Sequence, residues 1–143
     1  MIQFEYSLEK IAQAAKKIAQ HLQPGDLIAF EGNLAAGKTT LIQAILKNLG
    51  YTGRVNSPTF VIEHRYKLDH KHIDQVVHLD LYRLNENDLD NFDWDDYGSD
   101  RQLTLIEWPQ IADGKLPKKT KKVTISIVND QHRKIVLSDN FDN

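Results

Sequence analysis

Polar and apolar residues alternate over the first positions of the chain: Ile2, Phe4 and Tyr6 fall on one side, Gln3 and Glu5 on the other. A period of two predicts a short strand. The period then lengthens. Leu8, Ile11, Ala12, Ala15, Ile18, Ala19 and Leu22 recur at helical spacing and draw one apolar stripe, with Ser7 placed to cap the helix and Lys16 and Lys17 off the stripe. Pro24-Gly25-Asp26 stops that helix. Residues 27–30 are uniformly apolar and read as a buried strand. Residues 40–46 return to helical spacing, with Leu41, Ile42, Ile45 and Leu49 inward and Gly50 as the residue that ends the helix. No period survives over 52–58, which reads as a loop. Strand formers fill 59–66, and the polar stretch 67–75 suits a hairpin connection.

Two apolar runs follow, at 76–82 and 103–108. Each carries one acid towards its end, Asp80 in the first and Glu107 in the second, and Pro109 stops the second. Between them a short helix is expected at 85–89, and 88–100 is acidic and aromatic (Phe92, Trp94, Tyr97) with a turn at Gly98-Ser99. Residues 111–122 read mostly as loop. Val123, Ile125 and Ile127 alternate with Thr124, Ser126 and Val128, Asn129-Asp130 turns the chain, and 133–137 returns as an antiparallel partner strand. Strands separated by helices in the first half predict a parallel α/β core, and the later hairpins make the sheet mixed.

Composition narrows this picture only where it departs from the ordinary. A chain of 143 residues with 41% apolar and 27% charged residues suits one domain, 1–143, around a single core. A net charge of −2 speaks against a surface that coats nucleic acid unaided. The absence of cysteine removes disulfides, thiolate chemistry and cysteine–zinc sites. No apolar run approaches membrane-spanning length and the N-terminal residues lack a secretory pattern, so the expectation is a cytoplasmic protein without a membrane partner.

The candidate chemistry sits between the first buried strand and the second helix. Gly32-Asn33-Leu34-Ala35-Ala36-Gly37-Lys38-Thr39, continued by Thr40, fits the phosphate-binding pattern G-x-x-x-x-G-K-[ST]. A glycine-rich turn that enters a helix N-terminus offers unpaired N–H groups and a positive dipole end to phosphate oxygens. Lys38 is expected at the β- and γ-phosphates and Thr39 at Mg²⁺. The fold class expected is therefore α/β and P-loop NTPase-like: a small, mainly parallel sheet flanked by helices, with antiparallel C-terminal strands. Hydrolysis also needs a carboxylate by the metal and a group for the attacking water. Asp80 and Glu107, both at the ends of strands, are the candidates. His78 shares a strand face with Asp80 and reads as a hydrogen-bonded structural histidine or a phosphate contact. His64, His70 and His72 have a spacing that also admits a metal. Trp94 and Trp108 suit core packing or stacking on a base. Lys118, Lys119, Lys121 and Lys122 suit a solvated loop or an acidic partner.

Four segments in order resemble the bacterial TsaE family: the Gly32–Thr40 loop; Val55-Asn56-Ser57-Pro58-Thr59-Phe60; His78-Leu79-Asp80-Leu81-Tyr82-Arg83-Leu84; and Leu105-Ile106-Glu107-Trp108-Pro109. The loop alone is shared with a very large superfamily; the Ser-Pro-Thr-Phe and Asp-Leu-Tyr-Arg segments beside it are far more particular. The resemblance implies a small Mg²⁺-dependent ATPase that acts with TsaD and TsaB in forming threonylcarbamoyladenosine at position 37 of tRNA, with the transfer itself belonging to TsaD and tRNA met through the complex. It implies Lys38 and Thr39 on phosphates and Mg²⁺, Glu107 at Mg²⁺, and Asp80 positioning or deprotonating the water. It also implies Ser57, Pro58, Thr59 and Phe60 as a switch-like segment near the γ-phosphate, Trp108 beside the nucleotide, and Ser7 and Arg133 near base and ribose.

Asn33 and Ala35 depart from the family's usual acid and glycine, and Ala35 narrows the loop's backbone freedom. Residues 90–100 differ from the usual glutamate-rich helix. Arg65 and Arg83 are the candidates in this chain for neutralising transition-state charge. A small-molecule kinase and a nucleotide-dependent binding module remain as alternatives at this point.

Overall fold

Four consecutive apolar residues, Leu27 to Phe30, make a strand that is buried on both faces, and the sheet is built outward from it. The computed structural model describes residues 2–54 and 63–142. Along the chain these form β1 (Ile2–Ser7), α1 (Ile11–Ala19), β2 (Leu27–Glu31), α2 (Lys38–Asn48), β3 (Glu63–Lys67), β4 (Gln75–Asp80), α3 (Glu86–Asp90), β5 (Gln102–Glu107), β6 (Lys121–Ile127) and β7 (His132–Leu137). Among the described residues the strands form one mixed sheet in the order β1-β7-β6-β2-β5-β4-β3. The inner four are parallel, since β2 pairs with β5 and β6, and β5 with β4. Antiparallel pairs flank them: β6–β7 and β7–β1 on one side, β4–β3 on the other. Parallel strands covered on both faces need uniformly apolar sequence, which is what β2 supplies.

Side chains alternate across a strand, so the sheet divides its residues between two layers. Ile28 and Phe30 of β2, Val76 of β4, and Leu103 and Leu105 of β5 pack with α1 and α2. Leu27, Val77, Leu79 and Ile106 pack on the opposite face with Leu81, Leu89 and Ala112, covered by Phe92, Trp94 and Tyr97. The three aromatics pack against one another: Phe92 and Trp94 are tilted with ring centroids 4.6 Å apart, and Phe92 and Tyr97 are stacked at 5.3 Å. Trp94 is therefore a packing residue of the second layer. By the same alternation His78, Asp80 and Glu107 continue the row that faces α2.

Several sequence expectations shift by small amounts with identifiable causes. Ser7 does not cap a helix: it ends β1, a 3-10 turn at Leu8–Lys10 follows, and no side-chain cap bond forms. That extra turn delays α1 to Ile11 and rotates its face, so Ala14, Ala15 and Ile18 are buried while Ala12 and Leu8 are exposed. α2 begins at Lys38 and ends as expected, with Gly50 left-handed (φ +98°) and the Tyr51 N–H donating to the Leu46 carbonyl. Residues 67–75 do join a hairpin. The short helix at Glu86–Asp90 carries a reciprocal capping box between Asn85 and Asp88. His64, His70 and His72 do not gather around a common point; His70 Nδ1 instead accepts the backbone N–H groups of His72 and Ile73. Among the described residues no helix is long and apolar enough to cross a membrane.

The lysine run divides. Lys118 and Lys119 are exposed, and Lys122 forms a solvent-facing pair with Glu31. Lys121 is buried: its Nζ donates to Asp26 Oδ2 at 3.0 Å, where the Gln23 N–H also bonds, and lies 5.3 Å from the centre of the Phe141 ring. This bond ties the start of β6 to the turn that launches β2. Removing one partner leaves the other charge poorly solvated, so Lys121→Ala is expected to lower stability by roughly 1.5–3 kcal/mol in urea denaturation. Adding Asp26→Asn to the same chain should recover part of that loss.

Candidate functional site

The Gly32–Thr39 segment leaves the C-terminal end of β2 between its parallel neighbours β5 and β6. β6 packs directly behind it: a Cβ on Gly32 would lie 2.5 Å from the Ile125 carbonyl oxygen. Leu34–Ala36 form one 3-10 turn, closed by the Ala36 N–H on the Asn33 carbonyl at 2.9 Å. Gly37 is left-handed at φ +96°, a conformation that L side chains avoid, and turns the chain straight into α2. Ala35 sits in the 3-10 turn, and Trp108 is the only non-glycine with positive φ among the described residues, so alanine at 35 introduces no backbone strain. No side chain caps α2 at Gly37. The first N–H groups of α2, with the positive dipole end, therefore remain directed to the mouth of the loop.

Two strand ends meet this loop. Asp80 and Glu107 are register partners across β4 and β5, both nearly fully buried. Glu107 uses each oxygen differently: Oε1 accepts the Thr39 hydroxyl at 3.1 Å and Oε2 accepts His78 Nε2 at 2.7 Å. Asp80 Oδ1 accepts the Tyr82 N–H at 2.9 Å, a short turn that ends β4. Lys38 is 4% exposed. Its Nζ donates to the Gly32 carbonyl at 2.9 Å and lies 4.4 Å from the centre of the Trp108 ring, a cation–π contact. Trp108 is held left-handed at φ +58° directly after Glu107, and its ring meets Tyr82 at 4.9 Å. Such strain, on the order of 1–2 kcal/mol for a residue with a Cβ, is retained where the surroundings fix a side chain in place.

The oxygens of Thr39, Glu107 and Asp80 are hard donors of the kind magnesium prefers. Among the described residues no three His, Cys, Asp or Glu side chains are grouped to hold a metal by themselves. The set thus fits a cation that completes its shell with phosphate and water.

The remaining expected residues fall in different places. Arg133 lies under the loop, with Nε on the Ala36 carbonyl (3.2 Å) and Nη1 on the carbonyls of Asn129 and His132 (2.8 and 3.0 Å). Ser7 pairs across to His132 and lines a cavity of about 350 Å³ with Tyr6, Lys10 and Lys17, to which none of the described side chains of the Gly32–Thr39 loop contributes. Arg65 is opposite Val77 in the β3–β4 register and pairs with Glu63 beside Tyr97, on the face away from Glu107. Thr40 is exposed on the first turn of α2. Ser57, Pro58, Thr59 and Phe60 lie outside the described residues. Tyr82 belongs to the Asp-Leu-Tyr-Arg segment noted in the sequence, which assigned it no role; its contact with the Trp108 ring comes from the fold.

Burial pushes the Asp80 carboxyl above the ordinary carboxylate range, and the charge of Glu107 adds to it, while the Tyr82 N–H, His78 and Lys38 pull the other way. A carboxyl raised in the folded state binds its proton more tightly than in the unfolded chain, so its penalty is absent in acid and grows as pH rises through the folded value. Asparagine keeps the acceptor for Tyr82. Asp80→Asn is therefore expected to melt above the parent chain at roughly pH 7, with the gap closing towards roughly pH 4. A variant that melts lower at the higher pH contradicts this account of the site.

Comparison with known proteins bears on the family of the chain. A family model described as "Threonylcarbamoyl adenosine biosynthesis protein TsaE" matches residues 6–135. The tRNA threonylcarbamoyladenosine biosynthesis protein TsaE of Bacillus subtilis is 32% identical over 130 residues, covering 91% of this chain and 80% of the relative. The protein of the same name from Rickettsia bellii is 31% identical over 137 residues, covering 94% and 92%. The crystal structure of Bacillus subtilis YdiB matches with a TM-score of 0.73 and 25% identity, over 99% of this chain and 90% of that one. With the family model matched over residues 6–135, a span that includes the Gly32–Thr39 loop and both strand-end acids, the chain belongs to the TsaE family.

Proposed function

We propose that this chain is a magnesium-dependent ATPase of the P-loop NTPase type that supports formation of threonylcarbamoyladenosine at position 37 of tRNA by a complex of TsaD and TsaB, in the cytoplasm. The observation that carries the reading is the bond from the Thr39 hydroxyl to Glu107, which puts a strand-end carboxylate at the first turn of α2, beside the phosphate-binding pattern. The family's role in threonylcarbamoyl adenosine biosynthesis supports the pathway.

On this reading the first N–H groups of α2 receive phosphate oxygens, and Lys38 brings its ammonium to the β- and γ-phosphates. Bound magnesium would neutralise charge on the phosphates. Thr39 and Glu107 would hold it. Asp80, one strand further out, orients the attacking water and accepts its proton; the upward push on its carboxyl favours that acceptance. Trp108, fixed over Lys38, borders the nucleotide. Arg65 lies on the wrong face to meet transition-state charge, which leaves Arg83 or a residue of the partner complex, so the isolated chain turns over slowly. The slightly acidic surface suits a protein that reaches tRNA only through TsaD and TsaB.

Phosphate release from ATP and Mg²⁺, with and without the TsaD–TsaB complex, tests the reading. The complex is expected to stimulate release, and Asp80→Ala to lower kcat by roughly 100-fold or more while ATP binding persists. Phosphate transfer to a nucleoside or sugar, with no response to the complex, would replace it with a kinase. Unchanged tRNA modification in both Asp80→Ala and Glu107→Ala would leave a nucleotide-dependent binding module.

A further inference from the structure

His78 is fully buried in β4, between Leu105 of β5 and His64 of β3 in the sheet register. A buried imidazole ordinarily satisfies both nitrogens. Here only one is satisfied: Nε2 meets Glu107 Oε2 at 2.7 Å, and among the described residues Nδ1 has no hydrogen-bond partner. The carboxylate of Glu107 only accepts, so Nε2 carries the hydrogen. That bond reaches across to the neighbouring strand β5, and it puts the imidazole's single polar contact on one oxygen of the acid that also takes the Thr39 hydroxyl.

We propose that His78 is a positioning residue for the divalent cation: through its Nε2–H on Glu107 Oε2 it fixes the plane of that carboxylate, so that Oε1 is presented at Thr39. The inference rests on the reading of Thr39 and Glu107 as the cation's holders. With one oxygen tied to β4 and the other to α2, the carboxylate has no free rotation about its terminal bond. Without the Nε2–H donor, Oε2 is left buried and unpaired, and the group turns to find another donor. Outer partners of metal-binding side chains commonly contribute 10–100-fold in metal affinity.

The test compares two polar replacements that differ only in reach. The amide nitrogen of His78→Gln falls near the place of Nε2, whereas that of His78→Asn falls near Nδ1 and cannot reach Glu107. Binding of a fluorescent N-methylanthraniloyl-ATP is titrated with Mg²⁺ on the full chain, and repeated in EDTA. His78→Asn is expected to raise half-saturating Mg²⁺ roughly tenfold, with metal-free nucleotide affinity within about twofold of the parent, and His78→Gln to stay within about threefold of the parent in both. Should the asparagine variant fail to fold, the glutamine variant decides alone: threefold or less supports the proposal, tenfold overturns it. Equal behaviour of the two folded variants, or a matching loss in EDTA, overturns the positioning role while leaving the ATPase reading intact. A parent chain whose nucleotide affinity ignores Mg²⁺ overturns the cation reading itself, and this inference with it.

Discussion

The Glu107 carboxylate is gripped from two sides, by the Thr39 hydroxyl on α2 and by His78 on β4, and most of the architecture is needed to bring those three groups together. β5 must lie between β2 and β4, all three must run the same way, and α2 must start where β2 stops. If any of these conditions failed, the acid would sit beside nothing. The parallel order also explains why Asp80 is a direct neighbour: strands in parallel register end together, and Asp80 faces Glu107 across that common end.

The two-layer division of the sheet protects this arrangement. One face carries α1 and α2 and the row of His78, Asp80 and Glu107; the other is sealed by Phe92, Trp94 and Tyr97 and by the turn after β5. The aromatic cap packs against Leu27, Val77, Leu79 and Ile106 on that second face. It also fixes the position of residues 109–117 and so the exit from Trp108. That exit is strained, and the strain goes with a useful contact, because the left-handed turn sets the indole over Lys38.

Electrostatically the site is a confined set of opposites. Lys38, Asp80 and Glu107 are nearly buried, so their mutual fields are weakly screened. Lys38 rests on a carbonyl and an aromatic face, interactions weaker than a carboxylate pair would provide, which leaves its charge available for exchange with a stronger anion. Burial pushes the Asp80 carboxyl upward, and the charge of the adjacent Glu107 adds to that push. A set of oxygens under this tension gains from a cation, which is the physical argument beneath the function proposed above.

Much of this was legible in local sequence. The contiguous Gly32–Thr39 pattern, the apolar runs of β2, β4 and β5, the hairpins and the end of α2 at Gly50 all depend on neighbours within a few positions, and residue spacing records such relations directly. Even the acids at the ends of strands could be placed from the runs that precede them. Phase was less secure: one 3-10 turn after Ser7 rotated α1 and exchanged Ala12 for Ala14 in the core. What required the tertiary structure was pairing across distance. Thr39 and Glu107 are 68 positions apart, His78 and Glu107 29, and Lys121 and Asp26 95. Spacing alone carries no record of which strand lies beside which, so the solvated lysine, the structural histidine and the remote arginine each had several local readings. Strand order chose among them, because a side chain's function here is set by the group that the fold puts opposite it.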